Sequence, residues 1–431
     1  MDPRQPSLSR RELVKAAVAI GGSAALSACL DREGGTPTSP GTDPADRPAR
    51  QHAWNDALAT DDHGNHVPPR HHLLLYLDYA GDGTPTDDDR ERVEAALRSL
   101  ERAFAPGSDG LLFTIGYAPA YFDRFDASLP ESVDLPEPGA LSSFENPASD
   151  EPDAVVHLAS DRGSALLAAE EGLFGETDAV DGVEMETTVE GVFEPASLAD
   201  DGPYRRTGFI GDGLPAENQD VSGVPDSGPV PEDSPLYMGF DSGFEKNQAS
   251  EDRVTIEAGP FAEGTTQHVS KIRLRLDDWY GEQDHEERVA EMFCPVHAEE
   301  GRVEGTGTNL GDSNQVDEGC VEHIDDHAAE YGRVGHAQKN ARVREDGSPI
   351  ILRRDFDSTD GDEAGLHFLA LQEGIGDFVA TRSAMNGTDQ TDNPAVRQRV
   401  NNGILEYTFV RRRGNFLLPP RAQRSLPRPD P

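Results

Sequence analysis

Three residues between Gly335 and Phe356 are of types that could do chemistry together. His336 precedes a turn, Glu345-Asp346-Gly347-Ser348-Pro349. A short apolar strand, Ile350 to Arg353, then delivers Arg353 and, two residues on, Asp355. Alternate residues of an extended segment share a face, so the arginine and the carboxylate point the same way. A neutral imidazole can ligate iron. A fixed cation stabilises the negative charge that develops as a peroxide bond breaks, and a carboxylate can carry the proton. Together they are the minimum equipment for splitting a peroxide on iron. Each also has a plainer reading: a satisfied loop histidine, and an ion pair between Arg353 and Asp355.

A second constellation is Cys294-Pro-Val-His297 and Cys320-Val-Glu-His323. The repeated Cys-x2-His spacing admits a tetrahedral zinc, and two cysteines outside the cell admit a disulfide. Two unlinked thiols beside ordinary polar histidines stand ahead of both. His52, His63, His66, His71 and His72 have no fixed ligand spacing and read as solvated loop residues.

The elements that must position these residues follow a repeated order. His72 to Tyr79 reads as a strand. Thr86 to Phe104 reads as an amphipathic helix, with Thr86 as N-cap, an acidic first turn, and Val93, Ala96, Leu97, Leu100 and Phe104 on one face. Strands at Gly110 to Tyr117 and Ala154 to Leu158 follow, then a helix from Asp161 to Phe174 capped by Asp161. A Pro- and Ser-rich loop, Pro130 to Pro152, intervenes. After a Gly-, Pro- and Asp-rich linker, roughly Asp200 to Ser234, the pattern recurs. It comprises a strand at His268 to Leu276, a helix near Asp277 to Met292, strands at Ile350 to Arg353 and Gly365 to Leu371, and a helix from Gly374 to Met385. The fold class is therefore α+β, with two ferredoxin-like halves.

The formal charge is −43, and lysine occurs only at Lys15, Lys246, Lys271 and Lys339. Such acid excess suits a protein adapted to very high salt, where a Debye length of about 3 Å screens self-repulsion. No basic stripe exists to meet phosphates, which argues against a nucleic-acid partner. Arg10-Arg11, the apolar run Ala16 to Ala28, and Leu26-Ser27-Ala28-Cys29 have the order of a twin-arginine signal ending in a lipobox. Cys29 would then carry lipid and place the chain at the cell surface. The expected organisation is signal 1–29, tether 30–66, one half at 67–200 and a second at 201–425. The basic, Pro-rich end from Arg421 reads as frayed.

Residues 67 to 420 resemble the dye-decolorizing peroxidases. The resemblance rests on Thr114-Ile-Gly-Tyr-Ala-Pro-Ala-Tyr-Phe-Asp-Arg-Phe125 and Asp153-Ala-Val-Val-His-Leu-Ala-Ser-Asp161. It rests also on Thr265 to Trp279, Gly365-Leu-His-Phe-Leu-Ala-Leu-Gln372 and Phe416-Leu-Leu-Pro-Pro420, all in the family's order. It implies a haem b cofactor, His336 as the iron ligand, Arg353 as the distal arginine against the cofactor, and Asp355 as a distal polar residue. It implies hydrogen peroxide and a reductant as substrates. The family's Gly-x-x-Asp-Gly falls at Gly239-Phe240-Asp241-Ser242-Gly243, where serine holds the fourth position and the acid, Asp241, comes one residue early. Gly208-Phe-Ile-Gly-Asp-Gly213 offers Asp212 with one residue too many. Loss of the fourth-position aspartate favours an alternative, a haem-binding or haem-iron-acquisition lipoprotein. A zinc-stabilised module without haem is a third reading, and homo-oligomerisation stays open.

Overall fold

The computed structural model describes residues 41–228, 230–311, 316, 318–387 and 393–431. The twin-arginine pair, Cys29 and the first part of the tether lie outside the described residues.

The principal strands are β1 (His71–Tyr79), β2 (Leu112–Tyr117), β3 (Ala154–Ser160), β4 (Arg205–Phe209), β5 (Thr265–Leu274), β6 (Phe356–Ser358), β7 (Gly365–Gln372) and β8 (Thr408–Leu418). They belong to one sheet in the order β4-β6-β7-β5-β8-β2-β3-β1, and pairing of β4 with β1 closes it into a ring. The first half contributes β4-β1-β3-β2 and the second β6-β7-β5-β8. Counted within each half, the strand order is the same, which confirms the ferredoxin-like duplication. The halves meet at thin seams, Leu417 opposite Tyr117 and Phe209 opposite Asp357. Arg205–Phe209 falls in the stretch read as linker. It supplies the fourth strand of the first half because its residues pair antiparallel with His71 to Leu75.

β1 is buried on both faces, so it reads as a continuous apolar run rather than an alternation. Leu74 and Tyr76 point into the ring with Val269, Leu369 and Phe416. Leu73, Leu75 and Leu77 point outward, beneath helices α1 (Asp87–Ala103) and α2 (Gly163–Leu173). The Thr86 cap holds as expected, with Asp89 returning the bond in a capping box. Asp161 does not cap α2. Its carboxylate instead accepts from the Arg70 N–H, and Arg162 precedes the helix.

In the second half the equivalent outer sheet face is covered differently. The long segment between β5 and β6 folds into several short helices, among them α3 (His285–Met292) and α4 (His336–Asn340). The helix read near Asp277 to Met292 is broken into Leu276–Gly281 and His285–Met292, the second opening on its own Asp284 capping box. α5 (Ile375–Asn386) packs over β5 and β7 through Phe378, which stacks on His268 with ring centroids 3.6 Å apart. Between these helices and the sheet, space remains.

Several expectations fail for tertiary reasons. His52, His71 and His72 are buried, not solvated. His72 Nδ1 lies 3.0 Å from His157 Nε2 and its ring stacks on Phe356. Burial depresses its pKa to about 3, so it is a neutral core group. The chain's end is docked rather than frayed. Arg424 pairs with Glu101 and Glu94, and the Tyr117 hydroxyl donates to Arg424 O while accepting from the Leu426 N–H. The expected strand Ile350 to Arg353 is shorter, Leu352–Arg353.

Cys294 and Cys320 form a disulfide, correcting the preference for unlinked thiols. His297 is buried beside it, Nδ1 3.7 Å from Cys320 Sγ. Neither zinc nor a free thiol pair is compatible with the joined sulfurs.

Candidate active site

A cavity of about 1620 Å³, its open mouth included, lies against the outer face of the second half's sheet. Its walls are mainly apolar: Leu236, Met238, Phe240, Ile272, Phe293 and Phe368 among them. His336, Arg353, Asp241 and Asp355 all line it. The fold thus brings together the residues put forward for peroxide chemistry on iron, His336, Arg353, Asp241 and Asp355, but not Asp212. Asp212 is exposed and does not line the cavity.

His336 is the first residue of α4, after Gly335 as N-cap. Gly335 is required by crowding, since a Cβ there would meet Phe293 O at 2.0 Å. The imidazole keeps an edge toward the cavity while its surroundings desolvate it. Burial first, then the Lys339 and Arg353 cations, lower its pKa to about 3. It is therefore neutral, the form that can donate a lone pair to a metal. The Asn340 amide, one helical turn on, lies 3.2 Å from Nε2 and 3.5 Å from Nδ1. The amide nitrogen is a donor, so it shares the ring's lone pair and does not accept the imidazole N–H, the contact that would raise ligand basicity. Lys339 anchors the helix from beneath, donating to Met385 O, Asn402 O and Asn402 Oδ1.

Arg353 is clamped along its backbone by Gln248, whose Oε1 accepts from Arg353 N at 2.8 Å. Its Nη1 donates to Ser242 Oγ at 3.2 Å. Ser242, the departure from the expected aspartate, is thus a partner of the arginine. Arg353 and Asp355 do not form an ion pair among the described residues, so the plainer reading of both is not supported. Burial raises the Asp355 carboxyl above its ordinary range, against the pull of Arg353. Burial, reinforced by Asp212, Asp233 and Asp61, raises Asp241 to about 7. Such a carboxyl can both take and return a proton near neutrality.

Asp357 also lines the cavity and was not singled out from the sequence. Its signal was the same alternation that paired Arg353 with Asp355, carried one step further. It accepts from the Tyr237 N–H, and burial holds its carboxyl well above the usual range. Arg382 and Arg413 line the cavity as well, and no local pattern marked them.

The model of a family of unknown function, DUF7405, matches residues 69–420. The chain belongs to this family. No curated protein sequence matches it. Among solved structures, the DUF7405 chain is similar to a dye-decolorizing protein from V. cholerae, at 15% identity and TM-score 0.50, covering 85% of this chain and 97% of that one. It is similar also to a variant of DypB from Rhodococcus jostii RHA1 in complex with heme, at 16% identity and TM-score 0.52, covering 83% and 95%. The encapsulated DyP-type peroxidase from Mycobacterium smegmatis gives 15% identity and TM-score 0.53, covering 85% and 97%. The DUF7405 chain therefore has the fold of the DyP-type peroxidases, in agreement with the resemblance read from its motifs.

Proposed function

We propose that this protein binds haem b through His336 and catalyses hydrogen-peroxide-dependent one-electron oxidation of a reductant. The observation that carries the reading is the convergence onto one apolar cavity of neutral His336, Arg353 and Asp355, from one segment, with the raised-pKa carboxyl of Asp241, from another. The donor set fits the group: a desolvated imidazole as ligand, and apolar walls for a flat macrocycle. The structural neighbour holding heme in the same fold supports it.

Bound haem would supply the iron on which peroxide is reduced. His336 would hold the iron. Asp241 would take a proton from peroxide and return it, a pKa near 7 making both transfers accessible. Arg353, fixed by Ser242 and Gln248, would stabilise negative charge as the oxygen–oxygen bond lengthens. Asp355 is a further proton-holding group, and the apolar walls exclude water. Balance requires two electrons and two protons per peroxide, giving two waters. The electrons come singly from the reductant.

A second reading is favoured by Ser242. With serine bonded to Arg353 where a carboxylate was expected, the protein would carry haem or haem iron with little turnover. Reconstitution with ferric haem separates the two. Both expect a histidine-ligated Soret band, lost in His336→Ala. Only the first expects rapid peroxide-dependent oxidation of a one-electron dye. Absence of stoichiometric haem binding overturns both. We further propose twin-arginine export with lipid anchoring at Cys29. The disulfide supports an oxidising compartment, and among the described residues no helix is long and apolar enough to cross a membrane.

A further inference from the structure

One wall of the cavity holds a carboxylate shared by two arginines. Glu145, in the loop between β2 and β3, accepts from Arg382 Nη2 and from Arg413 Nη2, each at 2.9 Å. Arg382 comes from α5 and Arg413 from β8. They are 6% and 1% exposed, and both line the cavity. One carboxylate cannot neutralise two guanidinium groups, so an excess positive charge stays buried at this wall. Burial pushes Arg413 down to about 10 in spite of Glu145.

The donors are also underused. Nε and Nη1 of both Arg382 and Arg413 are buried and have no hydrogen-bond partner among the described residues. Buried donors in native proteins are rarely left unmade, so this set remains able to take an acceptor that the protein does not supply. A planar fork of guanidinium donors suits a carboxylate best. The cavity's own acids cannot supply it, because Asp241, Asp355 and Asp357 arise from other segments and pair elsewhere or not at all. In a chain of net charge −43, an anionic ligand needs such a local cationic seat.

We propose that Arg382 and Arg413, held by Glu145, form an anion seat that takes a carboxylate of the ligand bound in this cavity. The proposal rests on the haem reading, in which that carboxylate is a propionate of the porphyrin.

The test is an equilibrium titration of the full chain, in molar potassium chloride, with protoporphyrin IX and its dimethyl ester. Each is used both iron-free and as the ferric complex. Wild type should bind each diacid roughly 10–100-fold more tightly than its ester, the worth of a charge-assisted hydrogen bond. Arg382→Gln and Arg413→Gln should each weaken diacid binding toward that of the ester and leave the ester unchanged. The ferric Soret position should not move, because the iron ligand is untouched. Equal affinity of wild type for diacid and ester overturns the seat. So does a variant of unchanged melting temperature that loses both equally. If Arg413→Gln fails to fold, Arg382→Gln and the wild-type comparison still decide. Preference for the iron-free diacid without a histidine-ligated ferric spectrum upholds the seat and removes the haem reading. Failure to bind any of the porphyrins removes both.

Discussion

Reduction of the Cys294–Cys320 disulfide should destabilise the protein by an amount set by its loop. The bond spans 26 residues. Loop-closure entropy for a chain of that length corresponds to about 3.5 kcal/mol at 25 °C. A domain of ordinary size keeps only about 5–15 kcal/mol, so the fold should survive at 25 °C and melt earlier. At roughly 2 °C per kcal/mol for a large domain, the melting temperature should fall by about 7 °C. The loss should also reach the site. Gln338, two residues after His336, donates through its side chain to Cys320 O and through its backbone N–H to Phe293 O. The disulfide therefore ties together both supports of α4. The assay is calorimetry in molar salt of oxidised protein, of protein reduced and alkylated with both thiols verified by mass, and of the Cys294→Ser/Cys320→Ser variant. Ferric haem affinity is measured on each. Melting temperatures that agree within roughly 2 °C would refute the entropic argument. Unchanged haem affinity would refute the link to His336.

His336→Ala should abolish stoichiometric haem binding while circular dichroism stays unchanged. If His323 or His327 must be removed instead, the ligand is misassigned. Reaction with peroxide should quicken as pH rises through about 7, the value for Asp241, and Asp241→Asn should slow it on the order of 10²–10⁴-fold in stopped flow. The sign for stability is opposite. A carboxyl raised on folding is penalised as it ionises, so the cost grows from about pH 4 and is complete above about pH 7. Asp241→Asn should therefore gain melting temperature at pH 8 relative to pH 4, and equal shifts at both would argue that Asp241 is not desolvated. Ser242→Asp places a carboxylate beside the Arg353 guanidinium, which Ser242 already meets at 3.2 Å. It should speed the peroxide reaction, and no change would remove Ser242 as the limit. Circular dichroism should show the α+β fold in molar potassium chloride and its loss in dilute buffer, where the Debye length grows to about 10 Å. Full stability in dilute buffer would contradict adaptation to high salt.

The elements read correctly are those specified by neighbours in the chain. Thr86 and Asp89 close their capping box within one turn, and the apolar run of β1 declares a strand buried on both faces. The duplicated order of strands and helices gave the two ferredoxin-like halves. His336, Arg353 and Asp355 were legible because turn and strand spacing place them in one short segment, and Asp241 because a motif could be followed with one residue displaced. What the sequence could not decide depends on contacts far apart along the chain. Whether Asp241 or Asp212 faces the cavity turns on the path of two Gly-rich loops. The burial of His52 and His72, the docking of Arg424 and the joining of Cys294 to Cys320 follow from how the closed sheet and its helices stack. Glu145 meets Arg382 and Arg413 across separations of 237 and 268 residues. Hydrophobic periodicity and capping act over a few residues, whereas closing a ring of strands selects pairs with no local signature, so the cavity wall became visible only in three dimensions.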